Sequence, residues 1–359
     1  MLSFVYQMLP SRVIFGVGCL DKLAAEIERL GASKALVLST PEQRQSGLEM
    51  LERLGARGAG LFDRAVMHVP IETAEAAREE ARRLGADCCV AVGGGSTTGL
   101  AKAIALVSEL PILAVPTTYA GSEMTPIWGI TEKGRKTTGR DPRVLPKTVL
   151  YDPSLTVTMP ASLSGTSGMN SIAHCVEALY AQEANPIISM IAEEGIRALA
   201  ASLPVVVKEP GNPEARSDAL YGAWLGGISL GAVGMALHHK LCHTLGGSYN
   251  LPHAETHTVV LPHATAYNAA AAPEAMARIA RALKSPSAAE GLYDLASSLG
   301  APLSLAALGM KAGDLDQAAG IASQNPYYNP RPITRDGIRD LLQQAFEGRR
   351  PQTSMRQGA

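Results

Sequence analysis

The sequence predicts two domains, a parallel α/β unit followed by an all-helical one, and three observations predict it. Short apolar runs alternate with helical patterns over roughly the first 150 residues, strand-like runs almost vanish after "TVLYDPSLTVTMP", and Ala-rich helical patterns fill residues 162–346. The strands are "KALVLS" (34–39), "CCVAVG" (88–93) and "ILAVP" (112–116), all rich in Val, Ile or Leu. Between the first two, "IETAEAAREEARRLGA" (71–86) spaces its apolar residues along one helix face. Strands separated by helices point to a parallel sheet, since parallel neighbours need a crossover connection. In the second half "EPGNP" and "LPH" punctuate the helices. The expected division is 1–155 and 156–351, with 352–359 a disordered tail.

Composition narrows the partners. A chain of 359 residues can bury two cores, and a formal charge of -1 creates no field for nucleic acid, which is not an expected partner. Cys19, Cys88, Cys89, Cys175 and Cys242 are odd in number and lack CxxC spacing, as expected of thiols in the cytoplasm. The N-terminal "MLSFVYQMLPSRVIFGVG" reads as strands, with no basic leader before a long apolar run. Residues 219–237, "ALYGAWLGGISLGAVGMAL", carry no charge, yet their Gly and Ala content is only weakly hydrophobic. They read as a buried central helix, and no membrane partner is expected.

The first chemical motif is "VAVGGGSTTGLAKAIAL", where a buried strand ends in Gly94, Gly95 and Ser96 before a helix begins. Glycines let the backbone approach a ligand, and a helix start offers unpaired N–H groups to a diphosphate, so this reads as a phosphate cradle. A second strand delivers Thr117, Thr118, Tyr119 and Ser122 near the same sheet edge, where open α/β sheets bind dinucleotides. A third loop presents Ser39; a neutral residue there excludes neither NADH nor NADPH.

The densest signal is "HHKLCHTLGGSYNLPHAETH", which gathers His238, His239, His243, His253 and His257. His239 and His243 share a helix face, and His253 and His257 repeat that spacing after a turn. Upstream, Asn170 and His174 in "GMNSIAHCVEALY" also stand four apart, the geometry by which a helix holds a metal. Asparagine, however, brings a neutral carbonyl where such a pair usually brings a carboxylate.

These motifs resemble the iron-containing (group III) alcohol dehydrogenase superfamily along nearly the whole chain, from "SRVIFGVG" through "GGGSTTGLAK", "PTTYAGSE" and "PKTVLYDP" to the paired histidines. Within it, "GGGSTTGLAKAIAL", "GMNSIAHCVEALY" and "HHKLCHTLGG…LPHAETHT" most resemble the maleylacetate reductases. The resemblance implies a Rossmann-like dinucleotide-binding domain and an all-α domain of the dehydroquinate synthase-like fold, an active site between them, and a homodimer. It implies that Asn170, His174, His239 and His253 fall on the metal-site pattern and His243 on the histidine beside the nicotinamide. Gly94, Gly95, Ser96, Thr117, Thr118, Lys147 and Leu155 fall on its cofactor positions. Two residues depart from the pattern: Asn170 replaces an aspartate, and Gly99 stands where GGGSxxD has its acid.

The reaction implied is NADH- or NADPH-dependent reduction of the conjugated C=C of maleylacetate to 3-oxoadipate, in the breakdown of aromatic compounds. Hydride addition there leaves a delocalised enolate, a weaker base than an alkoxide, so Asn170 and the histidines are expected to serve as a neutral receptor with no metal required. The substrate is a small dicarboxylate, for which Arg331, Tyr327 and Tyr328 in "NPYYNPRPIT" form an expected binding loop, with Lys147 and Arg143 as further cations. A metal-dependent alcohol dehydrogenase, a lyase of the dehydroquinate synthase type and a non-catalytic dinucleotide sensor remain as alternatives.

Overall fold

The structure, a computed structural model, describes residues 4 and 6–352. All of the expected tail except Gln352 lies outside them. Contacts divide the chain into two compact units, one of residues 8–159 and one of the residues from Pro160 onward together with those before Met8.

In the first unit six strands form one parallel sheet: β1 (Arg12–Phe15), β2 (Ala35–Leu38), β3 (Gly58–Phe62), β4 (Cys88–Gly93), β5 (Ile112–Pro116) and β8 (Thr148–Tyr151), in the order β1-β8-β5-β4-β2-β3. Alternate residues face opposite ways, as period-2 geometry requires. Val37, Val90 and Val92 pack with Leu23, Ile27, Met50 and Leu54 of α1 (Leu23–Arg29) and α2 (Arg44–Leu54). Leu36, Leu38 and Ala91 face Ala74, Ala77, Leu100 and Ile104 of α3 (Ile71–Leu84) and α4 (Gly95–Ser108). Helices therefore cover both faces. The strand order reverses between β2 and β4, so the loops leaving their C-terminal ends splay apart into a crevice.

A two-stranded antiparallel hairpin, β6 (Ile127–Glu132) with β7 (Arg135–Arg140), was not legible as strands. β7 is nearly all polar and exposed, so it shows no apolar alternation.

Among its described residues the second unit is helical: α5 (Ala161–Ala178), α6 (Pro186–Lys208), α7 (Pro213–Ala232), α8 (Leu237–Tyr249), α9 (His253–Asn268), α10 (Pro273–Ala282), α11 (Ala288–Ser298), α12 (Leu315–Ser323) and α13 (Arg335–Glu347), with short 3-10 turns. Asn185, Asn212 and Thr334 cap α6, α7 and α13 through backbone N–H groups, and Pro stands at the first position of α6 and α7.

The uncharged run at 219–237 is not one helix. It ends at Ala232 and restarts at Leu237 with a 96° bend. Val233 is extended, and acidic side chains take up the N–H groups the break releases: Glu183 receives Gly234 N–H at 3.0 Å and Glu177 receives Ala236 N–H at 2.7 Å. Among the described residues no single helix is long and apolar enough to cross a membrane.

Candidate active site

The first unit presents its loops at the crevice. Gly94 precedes α4 without a side-chain cap, so the first N–H groups of that helix lack the usual internal partner. A Cβ at Gly94 would meet Thr118 Oγ1 at 2.8 Å, one at Gly93 (φ 142°) would meet Gln43 Oε1 at 2.6 Å, and one at Gly95 would meet nothing within 4 Å. This is a backbone cradle with open space at its floor, and it fits a dinucleotide diphosphate. Thr117, at the end of β5, is tied to it twice, through its N–H to Gly93 O (3.0 Å) and through Oγ1, which accepts from Gln43 Nε2 (2.8 Å).

Several expected cofactor residues sit differently. Lys147 precedes β8, and its N–H bonds Ile112 O at the start of β5. It therefore lies at the N-terminal edge of the sheet, a strand's length (on the order of 15 Å) from the cradle, and cannot join it. The Tyr119 side chain is fully buried, which leaves only its backbone for a ligand. Ser39 is also fully buried, its hydroxyl without a partner beneath Gly47 of α2. Ser122 offers both its carbonyl (2.7 Å) and hydroxyl (3.2 Å) to Lys102 Nζ. Lys102, unnoticed in the sequence, is 1 % exposed and donates also to Thr125 Oγ1 and Ile127 O; burial pulls its amine down to about 7. It anchors the loop after β5. Leu155 packs partly buried against the sheet core.

In the second unit the polar groups converge from α5, α8 and α9. Asn170, His174 and His239 are 5 %, 3 % and 4 % exposed, while His243 and His253 lie at the exposed edge. The His174 and His239 rings stack at 5.2 Å, and His257 lies 4.9 Å from His239 and 4.4 Å from His253. Burial, then the nearby His239 and His253, holds His174 well below the ordinary histidine range, so it is a neutral ring with a lone pair.

Glu177, one turn beyond His174, was missed. It is fully buried; its Oε1 accepts from His238 N–H (2.7 Å), and its Oε2 accepts from Ala236 N–H (2.7 Å) and faces His239 Nδ1 (2.7 Å). Since both oxygens already accept, Nδ1 is the donor and the lone pair of His239 sits on Nε2. The signal was the i, i+3 spacing of His174 and Glu177 on an otherwise uncharged helix.

Asn170 Oδ1, His174 Nδ1 and His239 Nε2 are all buried without a hydrogen-bond partner. Orphaned acceptors on a histidine whose other nitrogen is held by a carboxylate are what a metal ion satisfies, so these residues fit one. A neighbouring triad, His238, Cys242 and His257, also draws its ligand atoms within 4.8 Å. There His238 Nε2 and His257 Nδ1 bond each other at 2.9 Å, and burial pushes the Cys242 thiol well up, so the group is a packed hydrogen-bonded pair beside a neutral thiol.

The loop after α12 reaches this site. Tyr327 OH meets His243 Nδ1 at 3.2 Å, and Lys240 Nζ lies 5.6 Å from the Tyr327 ring. Lys240, which no sequence motif marks, stands three before His243 on α8. Arg331 differs from expectation. Its Nη1 donates to Tyr267 O at 3.0 Å and its guanidinium covers the Tyr267 ring at 4.1 Å, so it anchors the loop instead of presenting an open fork. Asn268 and Asn329 exchange two amide bonds (2.9 and 2.7 Å) beside it. Tyr328 lies exposed on this loop. Arg143 is paired with Asp141 and Glu109, which occupies its charge.

A parallel α/β unit with an uncapped glycine cradle and a helical unit with convergent imidazoles define a dinucleotide-linked oxidoreductase of the metal-site type. Two family models match, "Iron-containing alcohol dehydrogenase" over residues 10–153 and "Fe-containing alcohol dehydrogenase family, C-terminal" over residues 164–346, and the chain belongs to the iron-containing alcohol dehydrogenase family. It is 60% identical to a maleylacetate reductase from Burkholderia cepacia, covering 98% of this chain and 100% of the relative. The crystal structure of maleylacetate reductase from Agrobacterium tumefaciens superimposes with a TM-score of 0.95 at 56% identity, covering 98% of this chain and 100% of that one. An iron-containing alcohol dehydrogenase from Corynebacterium glutamicum follows at 0.93 and 46%, covering 97% and 98%. The expectation that no metal is required is corrected by this membership, and the unpartnered acceptors on Asn170, His174 and His239 give its physical reason.

Proposed function

We propose that the protein reduces the conjugated carbon–carbon double bond of maleylacetate with NADH or NADPH, giving 3-oxoadipate. The observation that carries the reading is 60% identity to a maleylacetate reductase over 98% of this chain and 100% of the relative. The dinucleotide, when its diphosphate is held by the Gly94, Gly95 and Thr118 cradle, supplies hydride from its nicotinamide. A divalent iron, when held by Asn170, His174, His239 and His253, supplies a Lewis-acid charge beside a substrate oxygen.

The chain's own groups handle the proton and the carboxylates. Hydride adds to the carbon β to the ketone, and the α carbon then needs a proton. Burial first, then the Glu177 charge, pushes the Tyr327 hydroxyl up, so it stays protonated and can donate to His243 Nδ1. That sets the ring proton on Nε2, from which His243 can deliver it to the α carbon as Nδ1 takes up the Tyr327 hydroxyl proton, which solvent then restores. Lys240, beside Tyr327, supplies a cation for one carboxylate, and the pinned loop carrying Tyr327 and Tyr328 shapes the pocket around the dicarboxylate. We place the enzyme in the cytoplasm as a homodimer; five buried, free cysteines support the reducing compartment, and β1, at the edge of the sheet, offers a strand to pair.

The test follows NADH and NADPH oxidation with maleylacetate and with simple aldehydes, for protein as isolated, dialysed against a strong chelator, and reloaded with Fe(II). Maleylacetate should be reduced far faster than any aldehyde, with activity lost on chelation and regained on reloading. Preference for aldehydes would overturn the substrate assignment.

A further inference from the structure

The four residues proposed to hold the metal carry no formal negative charge: one carboxamide and three neutral imidazoles. A dication in a buried site favours a carboxylate among its ligands, and none of these four residues supplies one. The buried carboxylate of this site stands one bond further out. Glu177 touches His239 through Oε2 at 2.7 Å, and both residues are at most 5 % exposed by side chain.

We infer that Glu177 is the charge-compensating residue that lets this uncharged ligand set hold a divalent cation. A carboxylate on Nδ1–H shifts electron density toward Nε2 and makes His239 a stronger donor, while fixing the tautomer and the ring plane. The same carboxylate accepts from Ala236 and His238 at the start of α8, so the ring and the helix that carries it are set together. The neutral Asn170 thus leaves the ligand shell uncharged without leaving the site uncharged. The inference rests on the metal assignment proposed above. Glu177 acts through His239, so it is a positioning residue.

The test is a double-mutant cycle read by Zn(II) affinity of the metal-free protein in competition with a chromophoric chelator. Glu177→Gln keeps the size of the side chain but replaces one accepting oxygen with a donor, and should weaken Zn(II) about 10- to 100-fold. Asn170→Asp should tighten binding several-fold more in the Glu177→Gln background than in the unaltered protein, because only there is the charge missing. Equal tightening in both backgrounds, or unchanged affinity in folded Glu177→Gln, overturns the inference. Failure of the unaltered protein to bind Zn(II) at all overturns the metal assignment instead, which separates the two. If Glu177→Gln does not fold, the histidine nitrogen-15 spectrum of the unaltered, metal-free protein decides: His239 should be protonated at Nδ1, and a proton on Nε2 sinks the idea.

Discussion

His243 and Tyr327 are 84 positions apart in sequence and meet at one 3.2 Å contact at the exposed edge of the site. If that contact sets which ring nitrogen carries the proton, Tyr327→Phe should lower kcat severalfold while leaving NADH affinity unchanged, the loss of about 1 kcal/mol of orienting bond. His243→Ala should cost on the order of 10² or more in kcat with the same cofactor affinity, measured by fluorescence titration. A fall in NADH affinity in either variant would show that the pair serves cofactor binding instead. At this scale the sequence was informative wherever a helix brings residues together. Asn170 with His174, and His239 with His243, were readable because spacing of four is contact. Glu177 facing His239, Tyr327 facing His243 and Lys102 beneath the loop after β5 were not, since each joins residues that are distant in sequence or hides a charge that patterning assigns to the surface.

The elements were legible where burial imposes a period, as in β4, β5 and α3. β3, "GAGLF", was hidden because its glycines answer packing: a Cβ at Gly60 would stand 2.7 Å from Leu84 Cδ1 of α3. The β6–β7 turn was marked only by Lys133 and Gly134, both at positive φ. Lys147 was misplaced because a resemblance in sequence does not say which edge of a sheet a residue occupies. α9 carries a consequence that only burial reveals. His263 is 3 % exposed, with neither ring nitrogen hydrogen-bonded, and burial pulls it from 6.5 to about 4. The folded form therefore resists a proton that the unfolded chain takes up. Above pH 6.5 neither state is charged and nothing is lost; between 6.5 and about 4 stability should fall by about 1.4 kcal/mol per pH unit from this residue. His263→Leu should flatten that part of the pH dependence of the urea midpoint relative to the unaltered protein. Parallel curves for the two proteins would mean that the ring is charged or solvated when folded.

Across the whole molecule the two kinds of ligand group are segregated: the glycine cradle belongs to the unit spanning Met8–Met159, and the imidazoles and Asn170 to the other unit. A ligand that binds only the folded form stabilises what it touches, by about 2.7 kcal/mol at one hundred times its dissociation constant. Amide hydrogen exchange should therefore resolve two footprints. Zn(II) added to the metal-free protein should slow exchange in α5, α8 and α9, whose cores are shared through Leu237, Leu241 and Val260 in the latter two, and leave the first turn of α4 unchanged. NADH should slow the first turn of α4 and the loop after β5, where Thr117 N–H and the Lys102 anchor already limit motion. Each ligand alone thus reports on one unit, and any protection that appears only with both together measures the coupling free energy between metal and cofactor. Protection of α4 by Zn(II) alone, with α5 and α8 unaffected, would move the metal away from Asn170, His174 and His239 and with it the chemistry assigned to them.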